Sequence, residues 1–163
     1  MRSTAPVLAL TLVASAAAAQ TAPPIGAPGD VPVLTTTATG VQVYECKAGP
    51  AGSLEWAFKE PRADLFVGRE KVIRHFAGPS WEHSDGSRIV GKVSAKQDAP
   101  AAADIPWLRL AVASRAGSGV LSEATAVLRI DTHGGVKSGA CDQAGAVSEV
   151  PYTATYAFVR AAK

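Results

Sequence analysis

The chain has 163 residues, with 16 Lys and Arg, 14 Asp and Glu, and a formal net charge of +2 at pH 7. This length suits a single domain with one hydrophobic core. The near-neutral charge argues against a dedicated nucleic-acid-binding protein, which needs a clustered basic surface. After the N-terminal segment, no apolar run reaches the roughly 18 residues of a membrane-spanning helix, so no membrane span is predicted there.

Residues 1–19 have the three parts of a secretory signal peptide. Arg2 is their single charge, an apolar stretch follows it, and small residues end the segment at Ala17-Ala18-Ala19. We therefore predict that cleavage occurs before Gln20 and that the mature protein is secreted or periplasmic.

Residues 20–32 read QTAPPIGAPGDVP and contain four prolines and two glycines. This composition disfavours both helix and central strand, and it predicts a disordered lead-in. A single β domain is then predicted over residues 33–163.

Alternation of apolar and polar residues predicts strands along the rest of the chain. Residues 41–46 and 54–59 are predicted to form a hairpin around the turn-forming residues 47–53, with Pro61 ending its second strand. Further strands are predicted at 63–67, 72–76, 81–83, 88–96, 107–114 and 152–160. Residues 121–130 are predicted as a strand or a short helix, and the β-branched residues there favour the strand.

The last of these runs has the clearest alternation. It places five residues on one side of the strand: Tyr152, Ala154, Tyr156, Phe158 and Arg160. With about eight strands and no amphipathic helix of appreciable length, the predicted fold class is all-β, a single antiparallel sandwich or barrel-like domain.

Cys46 and Cys141 are the two cysteines of the chain. In an oxidising compartment the simplest expectation is one disulfide between them. The alternatives are free thiols or a redox-active or metal-binding pair, although no C-x-x-C spacing is present.

The densest group of polar and aromatic residues lies between Arg74 and Ser87. It offers five candidate ligand-binding residues: His75, Trp81, Glu82, His83 and Asp85. Histidine and carboxylate side chains could bind a ligand, coordinate a metal ion or share acid–base work. The competing interpretation is a rigid turn in which these side chains have a structural role. Trp56 and Trp107 are expected in the core, whereas Trp81 is the best candidate for a ligand-facing aromatic.

Several motifs of common enzymes are missing from the sequence. There is no G-x-S-x-G elbow and no C-x-x-C-H, and Gly117-Ser118-Gly119 lacks the third glycine of a dinucleotide-binding loop. We therefore assign no cofactor, no metal site and no catalytic residue from the sequence.

Motifs in a consistent order carry a resemblance to a known family. They include GVQVYEC, EWAFKEPRADLF, IPWLRLAV and VPYTATYAFVR, and above all G-P-x-W-E-x-x-D-G-S at residues 78–87. In these strings, and over nearly everything after Leu34, the chain resembles a family of secreted bacterial and fungal proteins catalogued as domain of unknown function 3455. The resemblance implies a small exported β-rich domain with one disulfide, and it brings no established activity, cofactor or catalytic residue.

The leading functional hypothesis is an exported, non-enzymatic binding or structural module. Its partner would be an unknown small ligand or a cell-envelope protein. The binding surface is expected at the turn region that holds the five candidate residues, because binding groups are often placed on turns of a rigid β scaffold. The alternative is a small secreted hydrolase or metal-binding enzyme that uses His75, His83 and nearby carboxylates.

Overall fold

A computed structural model describes residues 25–50 and 52–162, so the predicted signal peptide lies outside the described residues. The described chain forms eight strands and one 3₁₀ turn. In chain order the strands are β1 (Asp30–Ala48), β2 (Leu54–Val67), β3 (Glu70–Phe76), β4 (Ser80–His83), β5 (Arg88–Gln97), β6 (Trp107–Ala116), β7 (Ala126–Gly134) and β8 (Val147–Ala161). Among the described residues, no helix is long and apolar enough to cross a membrane.

The strands form a closed barrel in which each strand pairs with the next along the chain and β8 returns to β1. All eight pairings are antiparallel. The prediction of an all-β antiparallel domain is confirmed, and of its two forms the structure has the barrel. Closure removes the exposed sheet edges that would otherwise have to be protected.

The β1–β8 ladder runs from Asp30 opposite Ala161 to Glu45 opposite Val147 and closes the barrel. β1 begins at Asp30, where the carboxylate accepts hydrogen bonds of 2.5 and 2.9 Å from Arg109 on β6. On β8 the predicted alternation is confirmed from Tyr152 to Phe158, because alternate residues are buried inside the barrel.

The prediction that Pro61 ends a strand is wrong. β2 continues through Pro61 to Val67, and Pro61 is paired with Gln42 of β1. The ladder with β3 starts only at Ala63, so Pro61 lies where β2 has a ladder on one side alone. A missing N–H is best tolerated at such an edge.

Residues 121–130, predicted as strand or short helix, are divided between the two. Val120–Glu123 forms the 3₁₀ turn and β7 starts at Ala126. Leu121 and Ala124 are fully buried and belong to the main core. The turn therefore closes one end of the barrel, which we call the closed end.

The disulfide between Cys46 and Cys141 is confirmed. It fastens the β7–β8 connection to β1, and the backbone of Cys46 also exchanges hydrogen bonds with Gly145 and Ala146. Trp56, in the facing part of β2, donates its backbone N–H to Gly139 of the same connection. The long connection is thereby fixed to the barrel at the end opposite the closed end.

The three tryptophans differ in their environment. Trp81 is completely buried in the core, whereas Trp56 and Trp107 are only partly buried. The prediction of a core position is therefore wrong for Trp56 and Trp107. The ring of Trp56 lies 4.5 Å from the ammonium nitrogen of Lys137. A cation over an indole face is favourable at a partly solvated position.

Candidate functional site

The barrel wall has an opening where its strands are unequal in length. On β2 the ladder with β3 covers only Ala63 to Val67. On β5 the ladder with β4 covers only Arg88 to Val90, opposite Ser80 to Glu82. β2 and β5 extend well beyond the short β3–β4 hairpin. We call the resulting gap the window: it is bounded by residues 57–62 of β2, the turn at 77–79 and residues 92–97 of β5.

Behind the window lies a cavity of about 290 Å³ inside the barrel, which we call the interior cavity. Its lining comes from seven strands, β2 to β8, and the β3–β4 turn, and it is mostly apolar. The lining residues are Phe58, Lys59, Pro61, His75, Gly78, Pro79, Trp81, Val93, Leu108, Leu110, Arg129 and Tyr156. A largely apolar concavity with a few polar groups is the usual form of a small-molecule site.

Two large apolar side chains at the window are exposed to solvent. Phe58 is 52% exposed and Val93 is 50% exposed. They stand on opposite sides of the window, on β2 and β5. Because removing exposed apolar surface from water lowers the free energy, these two side chains favour contact with an apolar molecule at the mouth of the cavity.

Trp81 and His75 form the floor of the interior cavity. They are directly opposite each other on β4 and β3, and their rings are stacked with centroids 4.6 Å apart and planes 4° from parallel. The indole fits because Gly91 lies against it: a Cβ at that position would be 2.9 Å from the indole Cζ3. Trp81 Nε1 is buried without a hydrogen-bond partner in the described part of the chain.

His75 is held in its neutral form. Its Nδ1 lies 2.9 Å from the backbone carbonyl of Ser80, which can only accept a hydrogen bond, so Nδ1 carries the proton and Nε2 a lone pair. Burial lowers the pKa of His75 to about 4, and the positive charge of Arg129 acts in the same direction. At neutral pH the imidazole is therefore a polar group without charge.

Arg129 is the one buried cation of the interior cavity, with 9% of its surface exposed. Its Nε and Nη2 donate to the carbonyl of Pro106 at 3.2 and 2.8 Å. Across residues 25–50 and 52–162 it forms no ion pair. A buried charge without a counter-ion is costly, which makes this guanidinium the most unusual group of the cavity.

Tyr156 completes the polar lining. Its hydroxyl lies 3.2 Å from that of Tyr152, which precedes it on β8 and does not line the cavity. Burial raises the pKa of Tyr156 above its ordinary value, against a smaller opposing effect of the charge on Arg129. Both phenols are neutral at physiological pH and contribute no counter-charge to Arg129.

Of the five residues proposed from the sequence, the structure brings two together at the interior cavity: His75 and Trp81. Glu82 lies outside this group, because its carboxylate accepts a hydrogen bond of 3.0 Å from Arg74 on the barrel surface. Both side chains of that ion pair are largely solvated, and exposed pairs of this kind contribute little stability.

His83 and Asp85 belong to the β4–β5 turn near the closed end. Asp85 accepts hydrogen bonds from the backbone and hydroxyl of Ser87 and from the backbone N–H of Val120. The hydrogen bonds from Ser87, together with the one from Val120, hold the pKa of Asp85 well below its usual range. His83 Nδ1 accepts from the backbone of Asp85. This network joins the turn to the 3₁₀ turn, which is a structural arrangement.

The metal and acid–base interpretation requires His75 and His83 to act together. On the β3–β4 hairpin His75 is opposite Trp81, whereas His83 is opposite Ile73. The two histidines therefore belong to different cross-strand pairs, two residues apart along each strand. Within the described ranges no three histidine, cysteine or carboxylate side chains are grouped so that they could hold a metal ion.

Sequence reasoning missed Arg129, Tyr156 and Phe58 as site residues. Alternation assigned Tyr156 to one side of the last strand and placed Phe58 within the predicted strand 54–59, without any sign that the two strands meet at a cavity. For Arg129 a signal was present: an arginine inside the apolar run of residues 126–130 must either reach solvent or be buried with a special role.

The fold and the site define the class of the protein: a closed, eight-stranded up-and-down β-barrel with a mostly apolar interior cavity that opens through its side. Residues 27–160 match the family described as "Protein of unknown function (DUF3455)", and the chain belongs to that family. No curated protein and no solved structure matches the chain.

Proposed function

We propose that the protein is an exported, non-enzymatic binding module whose interior cavity takes up a small, mostly apolar molecule through the window. The observation that carries this proposal is the cavity of about 290 Å³ with Phe58 and Val93 exposed at its mouth. A ligand that enters would cover apolar surface both at the mouth and along Leu108 and Leu110, and such burial is the main driving force for binding apolar molecules.

The chemistry of the lining supports binding rather than catalysis. Among the described residues that line the cavity there is no carboxylate, thiol or aliphatic hydroxyl. His75, the one group there with a basic lone pair, is stacked on Trp81 and has no neighbouring nucleophile to activate. These groups can orient a ligand by hydrogen bonding.

Two features support export. Residues 1–19 have the charged start, apolar middle and small-residue end of a signal peptide. The disulfide between Cys46 and Cys141 is of the kind that persists in oxidising compartments. N-terminal sequencing of the protein isolated from its host's periplasm or culture medium tests this part of the proposal, and a mature chain starting at Gln20 is the expected result.

The binding proposal can be tested with N-phenyl-1-naphthylamine, a neutral probe whose fluorescence rises in apolar surroundings. We expect saturable binding of one probe per chain. Leu108→Trp adds bulk to the cavity lining and should weaken binding by about tenfold or more. Val67→Trp is the matched control, because Val67 is an exposed apolar residue at the other end of β2 and is not part of the lining.

Circular dichroism and the unfolding midpoint must show that both variants remain folded before their affinities are compared. If Leu108→Trp does not fold, Leu108→Phe replaces it as a smaller change. Absence of saturable binding to the wild-type protein, or equal affinity of the Leu108 and Val67 variants, would contradict the proposal.

A further inference from the structure

We infer that the ligand of the interior cavity is a small monocarboxylate, with its carboxylate on Arg129 and its apolar body toward the window. This inference rests on the proposed binding function and adds to it the chemical class of the ligand. It is carried by two buried residues of the cavity lining: Arg129, which has no counter-ion among the described residues, and Trp81, whose buried Nε1 has no acceptor there.

The geometry of Arg129 leaves it able to bind an anion. The carbonyl of Pro106 accepts from Nε and Nη2, and it therefore fixes the guanidinium, which pairs with no carboxylate of the described residues. Guanidinium groups bind carboxylates strongly because each nitrogen presents a donor in a planar fork. An anchored, partly dehydrated guanidinium loses little further freedom when an anion arrives.

The electrostatic surroundings point to an anion rather than a neutral polar group. His75 and Tyr156, the polar neighbours of Arg129 in the lining, are both neutral at physiological pH. Lys59, the other cation of the lining, is already paired with Glu45 at 3.4 Å near the solvent. The uncompensated positive charge of the site is thus that of Arg129.

The size and lining of the cavity limit the ligand to one charged group. Beyond Arg129, His75 and Tyr156 the inner walls are apolar, with Leu108 and Leu110 on one side. A second carboxylate would be placed against these apolar side chains without a partner, which is unfavourable. A volume of about 290 Å³ suits a compact aromatic or short aliphatic acid.

The test compares 1-naphthoate with 1-naphthamide, which have nearly the same shape and differ in charge. Isothermal titration calorimetry of the wild-type protein should show the acid bound about tenfold or more tightly than the amide. Arg129→Gln should weaken 1-naphthoate by a similar factor and leave 1-naphthamide within about threefold. Arg129→Lys, which keeps the charge, should retain part of the preference for the acid.

The outcomes separate this inference from the proposed function. If the probe N-phenyl-1-naphthylamine binds in the cavity but the wild-type protein takes 1-naphthamide as tightly as 1-naphthoate, the carboxylate inference is overturned and the binding function stands. If neither the probe nor the acid binds, both are overturned. If Arg129→Gln does not fold, the comparison of acid and amide on the wild-type protein decides the question alone.

Discussion

The imidazole of His75 lies flat on the indole of Trp81 in the middle of the barrel, with ring centroids 4.6 Å apart. The edge of Tyr156 contacts the same pair, with its centroid 5.4 Å from that of His75. A histidine enclosed in this way by aromatic rings and a nearby guanidinium cannot easily accept a proton. The floor of the cavity is therefore also a source of pH-dependent stability.

The first prediction concerns this pH dependence. The pKa of His75 is about 4 in the folded protein, below its ordinary value of 6.5. As the pH falls from 6.5 toward 4, the unfolded chain gains a proton that the folded protein does not, so the free energy of unfolding decreases, by about 3 kcal/mol in total. Chemical denaturation at a series of pH values measures it.

The control for this prediction is His75→Gln, which keeps a side-chain donor for the Ser80 carbonyl. Its stability should vary much less between pH 6.5 and 4. The pKa values of Asp30 and Asp85 are lowered in the folded protein, so their protonation destabilises the fold at more acidic pH. It does not obscure the change between pH 6.5 and 4. An unchanged slope in His75→Gln would show that another group is responsible.

The second prediction concerns the closed end of the barrel. Asp85→Ala removes the acceptor for Ser87 and for the backbone N–H of Val120, and we expect a loss of about 2 kcal/mol in stability. Ligand binding at the cavity should be unaffected in the folded variant. Ser84→Ala is the matched control in the same turn, because that side chain is exposed. Equal stabilities of the two variants would refute the structural role of Asp85.

The third prediction concerns the disulfide. The bridge closes a loop with a sequence separation of 95, and in the chain-entropy model its removal costs about 4–5 kcal/mol. The double variant Cys46→Ala, Cys141→Ala should therefore unfold at a much lower denaturant concentration. Adding a reductant to the wild-type protein should lower its midpoint toward that of the variant and leave the variant unchanged. A double variant as stable as the oxidised wild type would exclude this contribution.

The fourth prediction concerns the packing of Trp81 on β5. A Cβ at Gly91 would lie 2.9 Å from Trp81 and 3.1 Å from the Cβ of Leu110. Gly91→Ala should therefore destabilise the barrel by about 1–3 kcal/mol, since overpacking forces side chains from their preferred positions. Lys92→Ala, at the next and exposed position, should change stability by less than about 0.5 kcal/mol. Thermal unfolding of both variants gives the comparison.

Much of the local structure could be predicted from residue patterns. The alternation from Tyr152 to Phe158 correctly identified the inward face of β8, because in a strand successive side chains point to opposite faces. The single pair of cysteines likewise predicted the disulfide. Pro61 misled the prediction, since a missing backbone donor ends a central strand but is tolerated where one side has no ladder.

The site was predicted less well. Of the five residues proposed from the sequence, His75 and Trp81 lie together at the cavity, whereas Glu82, His83 and Asp85 are near them in sequence and elsewhere in space. A hairpin places neighbours on opposite faces and at different heights of the barrel, so closeness along the chain does not decide which side chains share a site.

By itself, then, the sequence determined the strands, their inward faces, the disulfide and the family resemblance, because these depend on local alternation, turn residues and motif order. The tertiary structure alone decided that the sheet closes, that β3 and β4 are too short to complete the wall, and that Arg129 from β7 meets His75 from β3 behind the window. These depend on pairings between residues far apart in the chain, such as Asp30 with Ala161, and their register is set by the packing of the whole barrel.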